Sequence, residues 1–317
     1  MARIVVAQPI ASEGVQLLRS AGHEVRELAS CSREALLEAV ADAQGLLVRD
    51  ARVTREIIEQ GCQLKVIARH GAGLDRIDLA AAGERGIVVT YAPVANSVAV
   101  AEHAIALILA LAKHVVVVDR ATRDHRFGIR HERFGFELAG RTLGILGLGN
   151  VGRRLARIAR DGFGMQVIGH DPHADRASVA TPITWADDWR TVLGSSDVVS
   201  IHLALTSQTR GLIDLEALRL MKRTALLINC ARGEVVKEAD LVQALAEGAI
   251  AGAGIDVYDP DPPAADHPLF AFENVVVTPH TAAHTREAMR NMAVHAAQGI
   301  VEVLGGIPPT WPANLRT

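Results

Sequence analysis

The sequence predicts an α/β protein built from two doubly wound parallel sheets, one domain inserted into the other. Three observations carry this expectation. Short runs rich in Val, Ile and Leu alternate with helical patterns along nearly the whole chain, as parallel strands linked by crossover helices require. The runs are continuously apolar rather than alternating, so each strand is covered on both faces. The 317 residues also exceed what one typical core holds and suit about two domains.

In the first series, strands are expected at residues 3–7, 24–28, 45–48, 65–68 and 87–90, with helices such as 13–21 and 33–41 between them. A helix from about residue 97 to 118 joins the two series. Asn96 or Ser97 can cap it, and its Ala, Leu and Ile content on most faces reads as burial between domains. Residues 119–137 carry Arg120, Arg123, Arg126, Arg130 and Arg133 with Phe127, Phe134 and Phe136, half of the chain's six phenylalanines. A solvated loop is the plain reading, but so much aromatic surface favours an arm covered by a second subunit, hence a homodimer. The second series begins at residue 142 and includes 165–168, 198–201, 225–228, 252–255 and 275–278. The last helical run, 286–304, has no third domain to join and is read as returning to the first. That places one domain at 1–98 plus 286–317 and the inserted one at 99–285.

Composition narrows the function classes. An apolar fraction of 49% with 22% charged residues is that of an ordinary globular protein. A net charge of −3 leaves no basic surface for nucleic acid or for an acidic membrane. Cys31, Cys62 and Cys230 lack metal-ligand spacing, which fits a reducing compartment. The first residues are apolar too briefly for a signal peptide, and the stretch 104–118 is broken by Lys113 and His114, short of a bilayer span. A cytoplasmic location without membrane partners is expected.

The sharpest motif is Gly147-Leu148-Gly149-Asn150-Val151-Gly152. A strand leads into it, a helix leads out, and the next strand ends at Asp171, about twenty residues past the last glycine, the full dinucleotide-binding fingerprint. Gly147 permits the tight turn, Gly149 admits the pyrophosphate, and Gly152 lets helix and strand pack closely. The helix N-terminus then offers free N–H groups to the phosphates. The inserted domain is therefore of Rossmann type and the outer one is expected to be flavodoxin-like.

Three further features follow strands, where ligands of open parallel sheets bind. Arg232, in Asn229-Cys230-Ala231-Arg232-Gly233, can grip a carboxylate with a planar fork that never loses its charge. His280, in Thr278-Pro279-His280-Thr281, can take and return the proton of an alcohol. His284, four residues on, could share a zinc ion with it, but no third ligand accompanies the pair and no metal is expected. The acidic, proline-rich loop at 254–263 can supply a carboxylate that fixes the imidazole's tautomer.

Taken in order, RHGAGLDRID, NSVAVAEH, GLGNVG, HDP, LTSQTRGLI, NCARGEVV, GIDVYDPDP and TPHTAAHT closely resemble the NAD-dependent D-isomer-specific 2-hydroxyacid dehydrogenases across nearly the whole chain. The resemblance implies a catalytic arginine at Arg232, a catalytic histidine at His280 and the supporting acid at Asp261, with Asp259 a weaker substitute. Asp261 is a departure, since the family usually has glutamate there; one methylene shorter, it needs its loop to sit closer. Cofactor contacts are implied at Gly147, Gly149, Asn150, Val151, Gly152, Asp171, Thr206, Cys230 and Asp256. Asp171 favours NAD by accepting from ribose hydroxyls and repelling an added phosphate, though His170, His173 and Arg176 lie near it in sequence. The loop His70-Gly71-Ala72-Gly73 is implied to meet the substrate carboxylate as an anion nest.

The expected activity is reversible hydride transfer between a D-2-hydroxy acid and its 2-oxo acid, with substrate in a cleft between domains whose closure expels water. Arg49 and Arg69 end strands of the first domain and could bind a second anionic group, as similar arginines do in phosphoglycerate dehydrogenases. The chain resembles a short form of these without a regulatory domain. A doubly anionic substrate such as phosphoglycerate or sulfolactate stands beside simple ones such as glyoxylate, hydroxypyruvate or lactate. The alternative from another class is a non-catalytic NAD(H)-binding regulator, like the corepressors that share the fold.

Overall fold

The computed structural model describes residues 1–314. The chain divides into two compact units, Met1–Ser97 with the chain from His284 onward, and Val98–Ala283. The first begins with β1 (Arg3–Val6), α1 (Ser12–Ser20), β2 (Glu24–Glu27), α2 (Arg33–Val40), β3 (Gly45–Val48), α3 (Arg55–Gln60), β4 (Val66–Arg69), α4 (Leu79–Glu84) and β5 (Val88–Thr90). Its strands are all parallel in the order β2-β1-β3-β4-β5, a doubly wound arrangement of flavodoxin type. Ile4, Val6 and Leu47 face one apolar layer and Val5, Leu46 and Val48 the other, as continuously apolar strands predict.

The second unit holds α5 (Ser97–Ala112), α6 (Val115–Arg123), β6 (Thr142–Leu146), α7 (Asn150–Phe163), β7 (Gln166–His170), β8 (Thr184–Trp185), α8 (Trp189–Ser195) and β9 (Val198–Ile201). It continues with α9 (Leu215–Leu220), β10 (Leu226–Asn229), α10 (Glu238–Ala246), β11 (Gly252–Ile255) and β12 (Val275–Val277). Seven parallel strands run in the order β12-β11-β10-β9-β6-β7-β8. The order reverses at β6, so the loops after β6 and β9 flank the point where doubly wound sheets bind ligands. The two-residue β8 is an element without a counterpart in the sequence expectation; it is too short to show a periodicity.

The helix expected at 97–118 is broken. His114 adopts a left-handed conformation (φ 52°), and α5 and α6 meet at a bend of 61°. Four consecutive valines follow, each stiff at χ1 and a mediocre helix former. The freed Ala112 carbonyl accepts the Phe136 N–H at 2.9 Å, and Gly135 lets the arm approach, since a Cβ there would lie 2.4 Å from that oxygen. Among the described residues no single helix is long and apolar enough to cross a membrane.

The final helix, α11 (Arg286–Leu304), packs on α1 and β4 of the first unit. Ala293, Ala296, Ala297 and Gly299 on its buried face allow close approach, and Gly14 of α1 completes it: a Cβ there would stand 2.7 Å from the Ala293 carbonyl oxygen.

Candidate active site

Because every strand of the second sheet is parallel, the loops after β6, β7, β9, β10, β11 and β12 open on one edge. These loops carry the glycine turn, Asp171, Thr206, Arg232, Asp256 and His280.

At the glycine turn each glycine has its own reason. Gly147 has φ 95° and lies against the His202 carbonyl oxygen, where a Cβ would come within 2.6 Å. Gly152 packs α7 onto the turn; a Cβ there would meet the Gly147 oxygen at 2.1 Å. Gly149 faces open space instead, with no atom within 4 Å of its would-be Cβ. It begins α7 without a side-chain cap, which leaves the N–H groups of Val151 and Gly152 for an anion. Asp171 closes the floor of the turn, with Oδ2 accepting from Leu148 N (2.8 Å) and Oδ1 from His173 N (2.9 Å). The neighbouring cations are directed elsewhere. Arg176 pairs with Asp187 at 2.8 Å and lies over Trp185, and His170 bonds the Ala186 carbonyl. Open space at a helix N-terminus, with a carboxylate one strand away, fits a dinucleotide.

His280 sits in a left-handed conformation (φ 55°), and its N–H bonds back to the Thr278 carbonyl. Its Nδ1 donates to Asp261 Oδ2, which leaves Nε2 as the basic nitrogen. The shorter acid therefore does reach, and Asp259 is not its partner. The turn is held from beneath by Asp256, which is fully buried. Its Oδ1 accepts from Thr278 Oγ1 (2.6 Å) and Thr281 N (2.8 Å), and its Oδ2 from Ala282 N (2.9 Å). With its proton spent on Asp256, Thr278 Oγ1 accepts from His103 Nε2 at 3.0 Å. Tyr258 OH donates to the Thr278 carbonyl; burial first, then Asp256, Asp261 and Glu238, push its pKa up to about 12, so it stays a donor. Asp256, expected at the cofactor, thus has both oxygens engaged by the histidine's own loop.

Arg232 extends from a turn stapled by Asn229, whose Oδ1 accepts from Ala231 N (3.0 Å) and whose Nδ2 donates to the Arg232 carbonyl (2.9 Å). Gly233 then lets the 258 backbone pass: a Cβ there would fall 2.1 Å from the Tyr258 carbonyl carbon. Cys230 is buried, and burial with the Asp256 charge raises its thiol pKa, so it is no nucleophile. Thr206 turns its hydroxyl onto Gln208 N and Thr209 N, shaping its own loop.

In the first unit, His70 N and Gly71 N are spent on Val48 O and Arg69 O. Among the described residues Ala72 N and Gly73 N meet no hydrogen-bond acceptor, so the nest narrows to those two amides. Arg69, expected to reach an anion, is turned onto this loop, its Nε donating to the Gly73 carbonyl at 3.0 Å and its Nη1 to the His70 carbonyl. Arg49 pairs with Asp50 at 3.1 Å and donates to His284 Nε2 at 3.1 Å. His70 is 2% exposed, and burial first, then Arg69 and Arg49, lowers its pKa to about 4.

Sequence reasoning passed over two groups. Gln8 follows β1 and gathers the N–H groups of Arg49, Asp50 and Ala51 on its Oε1 at 2.9–3.1 Å, setting the direction of the Arg49 loop. Its place at a strand end was the available signal. His103 was the other, a polar side chain within the most apolar helix of the chain.

Residues 105–282 match the model for the D-isomer specific 2-hydroxyacid dehydrogenase, NAD binding domain. The chain belongs to the D-isomer specific 2-hydroxyacid dehydrogenase family. Its second unit is the family's NAD-binding domain. D-3-phosphoglycerate dehydrogenase of Archaeoglobus fulgidus is 39% identical over 314 residues, 99% of this chain and 59% of the relative. The chain thus spans about three-fifths of that curated relative's length. Among solved structures, a protein of Thermus thermophilus matches with a TM-score of 0.90 and 36% identity over 98% of this chain and 99% of the other. D-lactate dehydrogenase of Aquifex aeolicus, solved with NAD and lactic acid, matches with a TM-score of 0.89 and 26% identity over 99% of this chain and 100% of the other.

Proposed function

We propose that this family member is an NAD-dependent oxidoreductase that interconverts a D-2-hydroxy acid and its 2-oxo acid. The observation that carries the proposal is His280, its tautomer set by Asp261, at the carboxyl edge of a sheet whose first loop is built for a dinucleotide. The glycine turn and Asp171 would hold NAD, which would supply the hydride acceptor when bound. His280 Nε2 takes the hydroxyl proton during oxidation and returns it during reduction. Asp261 supports the imidazolium so formed, and Arg232 holds the carboxylate and polarises the carbonyl oxygen.

For the substrate, we favour a doubly anionic acid of the 3-phosphoglycerate kind, with Arg49 meeting the second charge and Arg69 acting by shaping the loop. Support comes from the relative named D-3-phosphoglycerate dehydrogenase. The test is NADH absorbance with a panel of 2-oxo acids that includes 3-phosphohydroxypyruvate and sulfopyruvate. Turnover should fall at least about a hundredfold in His280→Ala while NADH still binds. NADH binding without turnover of any acid would instead favour a regulator. Arg49→Ala should weaken only the doubly charged acids; equal losses across the panel would remove Arg49 from that role.

We further propose a homodimer formed through the arm at 119–137. Phe127 and Phe134 are 59% and 77% exposed in the single chain, and Val115 and Val116 lie open on the preceding helix. Light scattering should give twice the chain mass, and a monomer would end the idea. The exposed thiols of Cys31 and Cys62 suit a reducing compartment such as the cytoplasm, and fractionation tests that placement.

A further inference from the structure

The contact between Asp261 and His280 raises a physical question, because an aspartate is one methylene shorter than the glutamate usual in this family. Something must hold the loop forward. The structure shows the loop gripped from behind, two residues before Asp261. Glu238, the first residue of α10, accepts the Asp259 N–H on Oε1 at 2.9 Å and His267 Nε2–H on Oε2 at 2.9 Å. Both side chains are largely withdrawn from water, at 15% and 11% exposure. His267 Nδ1 accepts from Leu269 N, which places its proton on Nε2, facing Glu238. The ring of His267 meets Tyr258 edge-on at 6.0 Å and Phe270 at 5.4 Å, so the imidazole is itself packed in place.

We infer that Glu238 and His267 are positioning residues that brace the acid loop, holding Asp261 within reach of His280. The inference rests on the proposed roles of Asp261 and His280. Tyr258 ties the loop to the carbonyl of Thr278 on the histidine side, and Glu238 ties the next residue's N–H to α10 on the opposite side. A backbone held at 258 and 259 leaves Asp261 little freedom to swing away. The two cations beside the brace are already matched, Lys237 with Asp214 at 3.6 Å and Arg210 with Glu234 at 3.9 Å. Neither cation competes with His267 for Glu238 in the structure.

The test is a double-mutant cycle between Glu238→Ala and Asp261→Glu, read in two ways. With the acid at its native length, Glu238→Ala should lower kcat about tenfold, the usual cost of losing a supporting contact, with the NADH dissociation constant unchanged. In the Asp261→Glu background the longer acid reaches without the brace, so the same change should cost at most about twofold. Glu238→Gln, which keeps an acceptor for Asp259 N, should retain most of the rate. The second readout needs no turnover. Long-range nitrogen–proton NMR reports which ring nitrogen of His280 carries the proton. Glu238→Ala should shift His280 from the Nδ1–H form to a mixture, and adding Asp261→Glu should restore it. If kcat and tautomer are both unmoved by Glu238→Ala, or if its cost is equal in the two backgrounds, the brace is rejected. If the tautomer responds as stated but no 2-oxo acid is reduced by the wild-type chain, the brace stands and the proposed activity falls.

Discussion

Gly149 and Gly152 are three residues apart, and the same substitution should fail at them for opposite reasons. At Gly152, an alanine Cβ would lie 2.1 Å from the Gly147 carbonyl oxygen and 3.1 Å from Ile145 Cγ2. The first obstacle is backbone, so no rotamer relieves it, and α7 must back away by roughly 1 Å; such overpacking costs about 2–3 kcal/mol. For a unit of this size that is a drop of about 5–10 °C in the unfolding midpoint. The shift also drags the helix N-terminus off the phosphate position, so NADH affinity should fall more than about tenfold. At Gly149 the Cβ meets nothing within 4 Å and φ is −74°, which any residue adopts. Gly149→Ala should therefore keep its stability within about 0.5 kcal/mol of wild type. Its methyl group occupies the space assigned to the pyrophosphate, so NADH affinity should still fall. Thermal unfolding without ligand and fluorescence titration with NADH measure the two quantities separately. A Gly152→Ala protein that melts like wild type would refute the packing argument. A Gly149→Ala protein that binds NADH normally would show that the phosphates lie elsewhere.

Two further outcomes follow from the site. Asp171→Ala leaves the Leu148 and His173 amides without their acceptor and removes the charge that opposes a ribose phosphate; the ratio of NADPH to NADH affinity should rise at least about tenfold, and an unchanged ratio would remove Asp171 from cofactor choice. His70 gives the chain an acid sensitivity. Above pH 6.5 its ring is neutral in both folded and unfolded chains and contributes nothing to pH dependence. As pH falls from 6.5 toward 4, the unfolded chain binds a proton that the folded one, with a pKa of about 4, refuses. Stability is lost across that window, by about 2 kcal/mol at pH 5. His202, pushed to about 4 by burial, acts in the same direction and window. Urea midpoints at pH 7 and pH 5 should differ less in His70→Asn than in wild type, and an equal difference would clear His70.

Much of this was legible in the chain. Strands at 45–48, 198–201 and 252–255 have the bounds their apolar runs predict, because a strand covered on both faces is marked by composition alone. The turn at Gly147 and the close packing at Gly152 were readable because each depends on a stretch only a few residues long. The break at His114 was not, since the Ala112 carbonyl finds its substitute partner at Phe136, twenty-four residues on. Nor was the posture of Arg69, which looked free to reach an anion until its loop supplied two carbonyls for it.

The sequence by itself determined the fold class and the glycine turn, and it supplied the side chains proposed to do chemistry, because those rest on local periodicity and on side chains whose chemistry is their own. Tertiary structure decided what those groups can do. It put Asp256 beneath the histidine's turn, chose Asp261 over Asp259 as the imidazole's partner, and set Glu238 behind their loop. Hydrogen bonds are short and directional, and whether a carboxylate one methylene shorter reaches its histidine depends on backbone positions fixed by residues many turns of chain away.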